Sequence, residues 1–411
     1  MSSPAETRAA ADTTPWLLVC VLLAVTTTSY IDRIAISVLA PTLRDEFAMT
    51  NSEYALVVNC FMFSYLVMYS VGGRLADILG FRRALSLYIV WWSVAGAAHG
   101  LAGGFKSLAL SRFLLAVGEG GVWPAAVKAV AHRVQGPTRS LAVGIVNSGS
   151  SLGSALCVPL VGWLAVTWGW RVAFAVTGLM GFLLLPFWLS VTRGAQKSEP
   201  AAEKQATLPW LKIIRYRQAW APFCGRLISA GVWGFFAFWL PEYLSRERGL
   251  DLSEIAVMAW IPFVASAVGD IFGGGVVSWL VARGWSINRA RKTVLCVSGV
   301  MASSGIVAVY SSSLWVVMTS LAAGALFFKI ASVNFLNLPA DFFPPSHVGT
   351  AFGFSGTGGS TGIFLTNAAI GWVLDATGSY EAVLIGISMM TPIAVLVALL
   401  LAGRIERIQT A

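Results

Sequence analysis

Tyr30-Ile31-Asp32-Arg33 sets an acid beside a base deep inside the first long apolar run of the chain, Trp16 to Ala40. Arg112 and Glu119 sit seven residues apart inside the fourth, Ser107 to Val130. An ionisable side chain within lipid costs at least ~2.5 kcal/mol, so such groups face a bundle interior or a water-filled cavity and handle ions or substrates. Two arginines and two carboxylates are suited to anions and protons. A guanidinium fork matches a carboxylate and stays charged when buried. A buried acid is drawn to its neutral form by desolvation and to its charged form by a neighbouring arginine, so it can exchange a proton when that arginine finds another partner. Arg112 and Glu119 fall on one helical face. At 1.5 Å per residue, Arg33 lies roughly 10 Å below the outer end of its run, Arg112 about 8 Å and Glu119 about 18 Å, so the arginines match in depth. Gly118, Gly120 and Gly121 are expected to leave open space around the Glu119 carboxylate.

The elements that must position these groups are membrane helices. At 411 residues, 57% hydrophobic and 11% charged, the chain has too little polar surface to cover a soluble globule. Twelve apolar runs are long enough to cross a ~30 Å hydrocarbon core: Trp16–Ala40, Glu53–Val71, Ala84–Gly103, Ser107–Val130, Arg139–Ala165, Arg171–Val191, Ala219–Leu244, Glu254–Ala282, Thr293–Tyr310, Leu314–Pro339, Val348–Leu374 and Tyr380–Leu401. The first is too long for a signal-peptide core and lacks a small-residue cleavage site, so it is expected to stay attached.

A net charge of +9 could suggest nucleic acid or anionic lipid as a partner, but topology accounts for it. With the N-terminus inside, 18 of the 28 Lys and Arg fall in cytoplasmic segments, five in external loops and five in helix interiors. That asymmetry places both termini in the cytoplasm and removes the need for a nucleic-acid partner. Cys20, Cys60, Cys157, Cys224 and Cys296 all fall inside the runs as packing residues, with no spacing for zinc or for a disulfide framework. His99, His132 and His347 lie at helix ends as interfacial residues without metal spacing, and no catalytic triad or phosphate loop is present.

The polar stretch 193–217 is expected to be a cytoplasmic linker between six-helix bundles at 1–192 and 218–411. A shift of 209 residues supports a duplication. Ala142, Gly144, Gly149, Ser151, Gly153, Leu156, Gly162, Trp163 and Gly169 meet Ala351, Gly353, Gly358, Ser360, Gly362, Leu365, Gly371, Trp372 and Gly378. Such parallel repeats are a known plan of transporters. Gly149/Gly153, Gly269/Gly273 and Gly358/Gly362 carry the spacing that lets helices approach closely, either as static packing or as smooth contacts between halves that permit rocking.

Between the second and third runs lies Gly73-Arg74-Leu75-Ala76-Asp77-Ile78-Leu79-Gly80-Phe81-Arg82-Arg83. It resembles the GxLaDxxGxRR loop of the major facilitator superfamily, which latches one conformation through its acid and bases, here Asp77, Arg82 and Arg83 with Gly73 and Gly80. The matching place in the second half, Gly274 to Trp279, keeps glycines and lacks the acid. Within the superfamily, "YIDRIAISVLAP", "SRFLLAVGEGGVWPA", "NSGSSLGSAL", "GWRVAF", "FFAFWLPEYL" and "VGTAFGFSGTGG" are similar to the anion:cation symporters, which include hexuronate and galactonate transporters and vesicular glutamate and sialic-acid carriers. The resemblance implies an all-helical fold of twelve spans, Asp32 and Glu119 as proton carriers, and Arg33 and Arg112 as anion ligands, with Tyr65 touching substrate. Ser150 stands where galactonate-type members have glutamine.

Lys128 and Arg226 lie near cytoplasmic helix ends, where long side chains reach back to water. Lys329, with Ser332, Asn334 and Asn337 around it, suits either a substrate ligand or a structural charge, as does Asp270. Asn334 and Ser360, the repeat partner of Ser151, are further candidate ligands. The expectation is a monomeric bacterial-type inner-membrane transporter that brings in a small organic carboxylate with protons and needs no cofactor. An organic-anion exchanger or uniporter is the alternative, and a transporter-like ligand sensor a more distant one.

Overall fold

In a hydrocarbon layer each backbone N–H and C=O must be paired, and a helix does this within one segment. The computed structural model describes residues 14–134, 138–193, 213–343 and 345–408, and among them there are helices and no strand. The N-terminal half contains α1 (Thr14–Val38), α2 (Ala40–Glu46), α3 (Asn51–Leu79), α4 (Phe81–Ala98), α5 (Phe105–Glu119), α6 (Val122–Arg133), α7 (Thr138–Trp168) and α8 (Trp170–Val191). The C-terminal half contains α9 (Arg217–Phe238), α10 (Leu240–Arg248), α11 (Leu252–Met258), α12 (Ile261–Ala282), α13 (Ile287–Met301), α14 (Val307–Tyr310), α15 (Leu314–Phe342), α16 (Pro345–Thr377) and α17 (Glu381–Ala402). Most of the expected linker, 194–212, lies outside the described residues.

Among the described residues, ten helical stretches are long and apolar enough to cross a membrane. The second and eleventh predicted runs fall on α3 and α16, helices of 29 and 33 residues that stand outside those ten. Several runs are broken rather than continuous α-helix. The fourth divides at Gly120-Gly121, the seventh at Trp239 ahead of Pro241, the eighth near Trp260 ahead of Pro262, and the ninth through a 3-10 stretch at Ala302–Ile306. Proline fits the first turn of a helix, where its missing N–H costs nothing, so it restarts the helix there.

The glycines around Glu119 correct the sequence reading: they are filled, not open. A Cβ on Gly118 would stand 2.7 Å from the Trp92 backbone nitrogen, one on Gly120 2.6 Å from Met68, and one on Gly121 2.3 Å from the Tyr88 ring. They let α3 and α4 press against α5. The glycine pairs of the repeat likewise serve packing within each half. Gly149 and Gly153 seat α7 on Thr26, Thr27 and Tyr30 of α1, while Gly358 and Gly362 seat α16 on Phe223 and Leu227 of α9. Contacts between halves come from the other matched pair, Gly162 against Ala256 of α11 and Gly371 against Ala55 of α3.

One apolar core draws on both halves, joining Ile34, Leu43, Tyr54 and Trp170 to Phe238, Trp239, Tyr243 and Leu374. It lies toward the end that the charge asymmetry assigns to the outside. Toward the opposite end the core divides, with Leu18, Phe81, Trp92 and Trp188 in one half and Phe335, Phe342, Ala394 and Ala398 in the other. The halves therefore share one core at that end and hold separate cores toward the other. His99 differs from expectation: it is 1% exposed, and Nδ1 lies 2.8 Å from the Ala95 carbonyl with the ring stacked on Phe174.

Candidate functional site

The acid and base of α1 meet α5 at the centre of the N-terminal half. Arg33 donates from Nε and Nη2 to Glu119 Oε2 at 3.0 and 2.9 Å. Its guanidinium carbon lies 4.3 Å from the Tyr30 ring centroid and 4.4 Å from that of Tyr65, with Phe61 at 5.1 Å. Aromatic faces attract a cation without consuming its hydrogen bonds, so they hold the arginine in place whichever carboxylate it binds. Tyr65, offered by the resemblance as a substrate contact, is one of the rings against Arg33. Tyr30 and Phe61 were not singled out from sequence, because a lone aromatic in an apolar run looks like packing.

Arg112 is fully buried, 4.5 Å from the Phe61 centroid, and donates from Nη2 to the Arg33 carbonyl at 3.2 Å. The arginines therefore share a level, as their depths predicted, while Arg33 keeps 8% exposure and Arg112 none. Asp32 and Glu119 are 3% and 1% exposed. Asp32 Oδ2, Glu119 Oε1, Arg112 Nε and Arg112 Nη1 are buried without a hydrogen-bond partner among the described residues. Leaving such atoms unpaired costs about 1–3 kcal/mol each, more when charged, which fits a site whose partners change during function rather than a static brace.

The other candidates divide. Lys329 donates to Asp270 Oδ2 at 3.2 Å, and Ser151 of the opposite half donates to the same oxygen at 3.3 Å. Asn334 does not join them. Its side chain donates to the Gly273 and Ile330 carbonyls and accepts from Arg291, whose other bond goes to Asp341. Five residues on a helix rotate about 140° away from Lys329, which turns the amide toward α12 and α13. Ser150 returns its hydroxyl to the Asn147 carbonyl at 2.8 Å, and Ser360 is partly buried in α16. In the expected latch, Gly80 makes the α3–α4 turn at φ +79°, Gly73 lies against Pro124, and Arg82 donates to Thr192 and to the Leu189 carbonyl. The Asp77 side chain lies outside the described residues.

Sequence reading gave no role to the charged contacts that join the two halves. Arg44 of α2 and Glu242 of α10, 8% and 0% exposed, form a buried ion pair between the halves. Arg246 extends it, donating to Glu242 at 3.1 Å and to Asp45 at 2.5 Å. Tyr54 donates to the Phe238 carbonyl, and Asp375 accepts from the backbone of Asn51 and Ser52. Burial raises the Glu242 carboxyl above its usual range, with Arg44 and Arg246 pulling the other way.

The family model for the Major Facilitator Superfamily matches residues 22–290. The chain belongs to the major facilitator superfamily. It resembles the probable sulfoacetate transporter SauU of Cupriavidus necator, with 30% identity over 373 residues covering 86% of each chain. The hexuronate transporter of Escherichia coli K12 is 27% identical over 383 residues, 88% of each, and the probable galactarate/D-glucarate transporter GarP of the same organism is 26% identical over 428, 96% of each. In fold it resembles a bacterial homologue of the human lysosomal transporter Spinster, in an inward-facing and unoccupied conformation, with TM-score 0.73, 18% identity and 95% and 96% of the two chains covered. This member of the superfamily is a multi-pass membrane transporter and not an enzyme, and the expected kinship with organic-acid carriers is borne out.

Proposed function

We propose that the chain is a proton-coupled symporter of a small organic carboxylate in the bacterial-type inner membrane. Two six-helix bundles, 1–192 and 218–411, would alternate access across twelve spans with both termini in the cytoplasm. The observation that carries this reading is the Arg33–Glu119 bond, closed on one oxygen while Glu119 Oε1 and Asp32 Oδ2 lie buried without hydrogen-bond partners among the described residues. The relatives named for sulfoacetate, hexuronate and glucarate support an organic anion as cargo.

An incoming carboxylate competes for the Arg33 guanidinium, with Arg112 behind it as a second ligand. Glu119 then loses its cation inside a buried site, where a neutral acid costs far less than an unpaired charge, and takes a proton. Asp32 is the second proton carrier. Substrate and proton each favour the binding of the other, and that mutual preference is the coupling. Parting of the halves at the outer end, with rupture of the Arg44–Glu242 gate, would supply the alternate opening.

Glu119→Gln tests the reading, because an amide imitates the protonated acid and releases no proton. In proteoliposomes loaded for counterflow the variant should still exchange internal for external substrate, while uptake driven by a pH gradient is lost. Intact gradient-driven uptake would move coupling elsewhere, and wild-type uptake indifferent to both pH gradient and potential would favour the exchanger or uniporter.

A further inference from the structure

The C-terminal half holds a second cation arranged like Arg33. Lys329 Nζ lies 3.2 Å from Asp270 Oδ2 and 4.3 Å from the centroid of the Trp233 ring, so α9, α12 and α15 converge on one ammonium group. As with Arg33, the cation is held by a single carboxylate and faced by an aromatic ring. The pair is also reachable: the Lys329 and Asp270 side chains are 15% and 27% exposed, against 7% and 15% for Arg291 and Asp341.

Position links the two cations. Ser151 of α7 donates to Asp270 across the interface, and two residues on, Gly153 is pressed against Tyr30, the ring that covers Arg33. One turn of α7 therefore touches the surroundings of both, at depths about 3 Å apart along the helix axis and on sides of the helix turned about 200° from each other. Stability does not explain the second pair. An intramembrane lysine is costly to bury, and a partly exposed ion pair returns only a fraction of that cost.

We propose that Lys329 seats a second anionic group, so that the preferred substrate is a small dianion held by Arg33 in one half and Lys329 in the other. This rests on the organic-anion reading above and narrows its substrate class. A dianion engaging both halves ties them together and displaces two carboxylates, Glu119 and Asp270. With Asp32 and Glu119 as the proton carriers, two negative charges travel with two protons and the cycle is electroneutral. A monoanion of similar size satisfies one cation and leaves the other on its own carboxylate.

Binding of D-glucarate and D-galacturonate to purified protein in detergent, measured by calorimetry, decides it. Wild type should bind the dianion at least about tenfold more tightly, the scale of one charge-assisted hydrogen bond. In Lys329→Gln the ratio of the two affinities should fall toward one. The double variant Asp270→Asn with Lys329→Gln, which leaves no unpaired charge, should give the same collapse and guards against misfolding of the single variant. Equal wild-type affinities, or a ratio that survives in both variants, would overturn the dianion proposal while leaving an organic-anion carrier intact. Failure of sulfoacetate, glucarate and galacturonate all to bind the wild type would overturn both readings.

Discussion

Glu242→Ala should unlock the outer gate. Arg44 and Glu242 are 8% and 0% exposed and come from opposite halves, so they are desolvated together only while the outer end is shut. Removing one partner of a buried pair costs about 3–5 kcal/mol, because the remaining charge is left buried. When the outer end opens Arg44 is hydrated, so the penalty falls on the closed form. At 1.36 kcal/mol per tenfold, the ratio of open to closed should rise by roughly 10² to more than 10³, or to saturation. Spin labels at Leu101 and Tyr310, which are 87% and 76% exposed on opposite halves, would report the opening as a longer distance on a background lacking the five native cysteines. Glu242→Gln, which retains a hydrogen-bond acceptor, should shift the distribution less. A folded, monodisperse Glu242→Ala protein with the wild-type distance distribution would refute the reasoning and leave the apolar core as the sole closure.

Gly371→Leu should also open the outer end, since its Cβ would stand 2.8 Å from that of Ala55 and 2.9 Å from the Asn51 carbonyl. Overpacking of about 1–3 kcal/mol predicts a five- to 150-fold shift by the same labels, and an unshifted distribution would show that α3 yields at no cost. Arg33→Lys should weaken substrate binding at least about tenfold in the calorimeter, because an ammonium cannot reproduce the two-pronged bond; wild-type affinity would remove Arg33 from the ligands. With a monoanion, two protons per cycle should give an inward current on solid-supported membranes, and gradient-driven uptake without current would reduce the count to one.

Sequence alone determined that this chain crosses a membrane repeatedly, because few charges and long apolar runs leave no soluble solution, and it exposed the duplication through Gly149, Gly153, Gly162 and their partners. It also picked out Asp32, Arg33, Arg112 and Glu119, since a charge in an apolar run is conspicuous and its depth follows from a fixed rise per residue. Only the tertiary structure decided what those residues touch. Arg33 chose Glu119 over its neighbour Asp32, because adjacent residues on a helix point apart while α5 crosses α1 at the right level. The filled glycines of α5, the turn of Asn334 toward Arg291 and the joining of Lys329 to Asp270 depend on helix rotation about its axis, which neighbouring helices set. Arg44 and Glu242 stand 198 positions apart, one just past the first apolar run and the other at the end of the seventh, and neither stands out until the halves close over them. Their meaning belongs to a contact between halves, and local sequence does not encode which surfaces will meet.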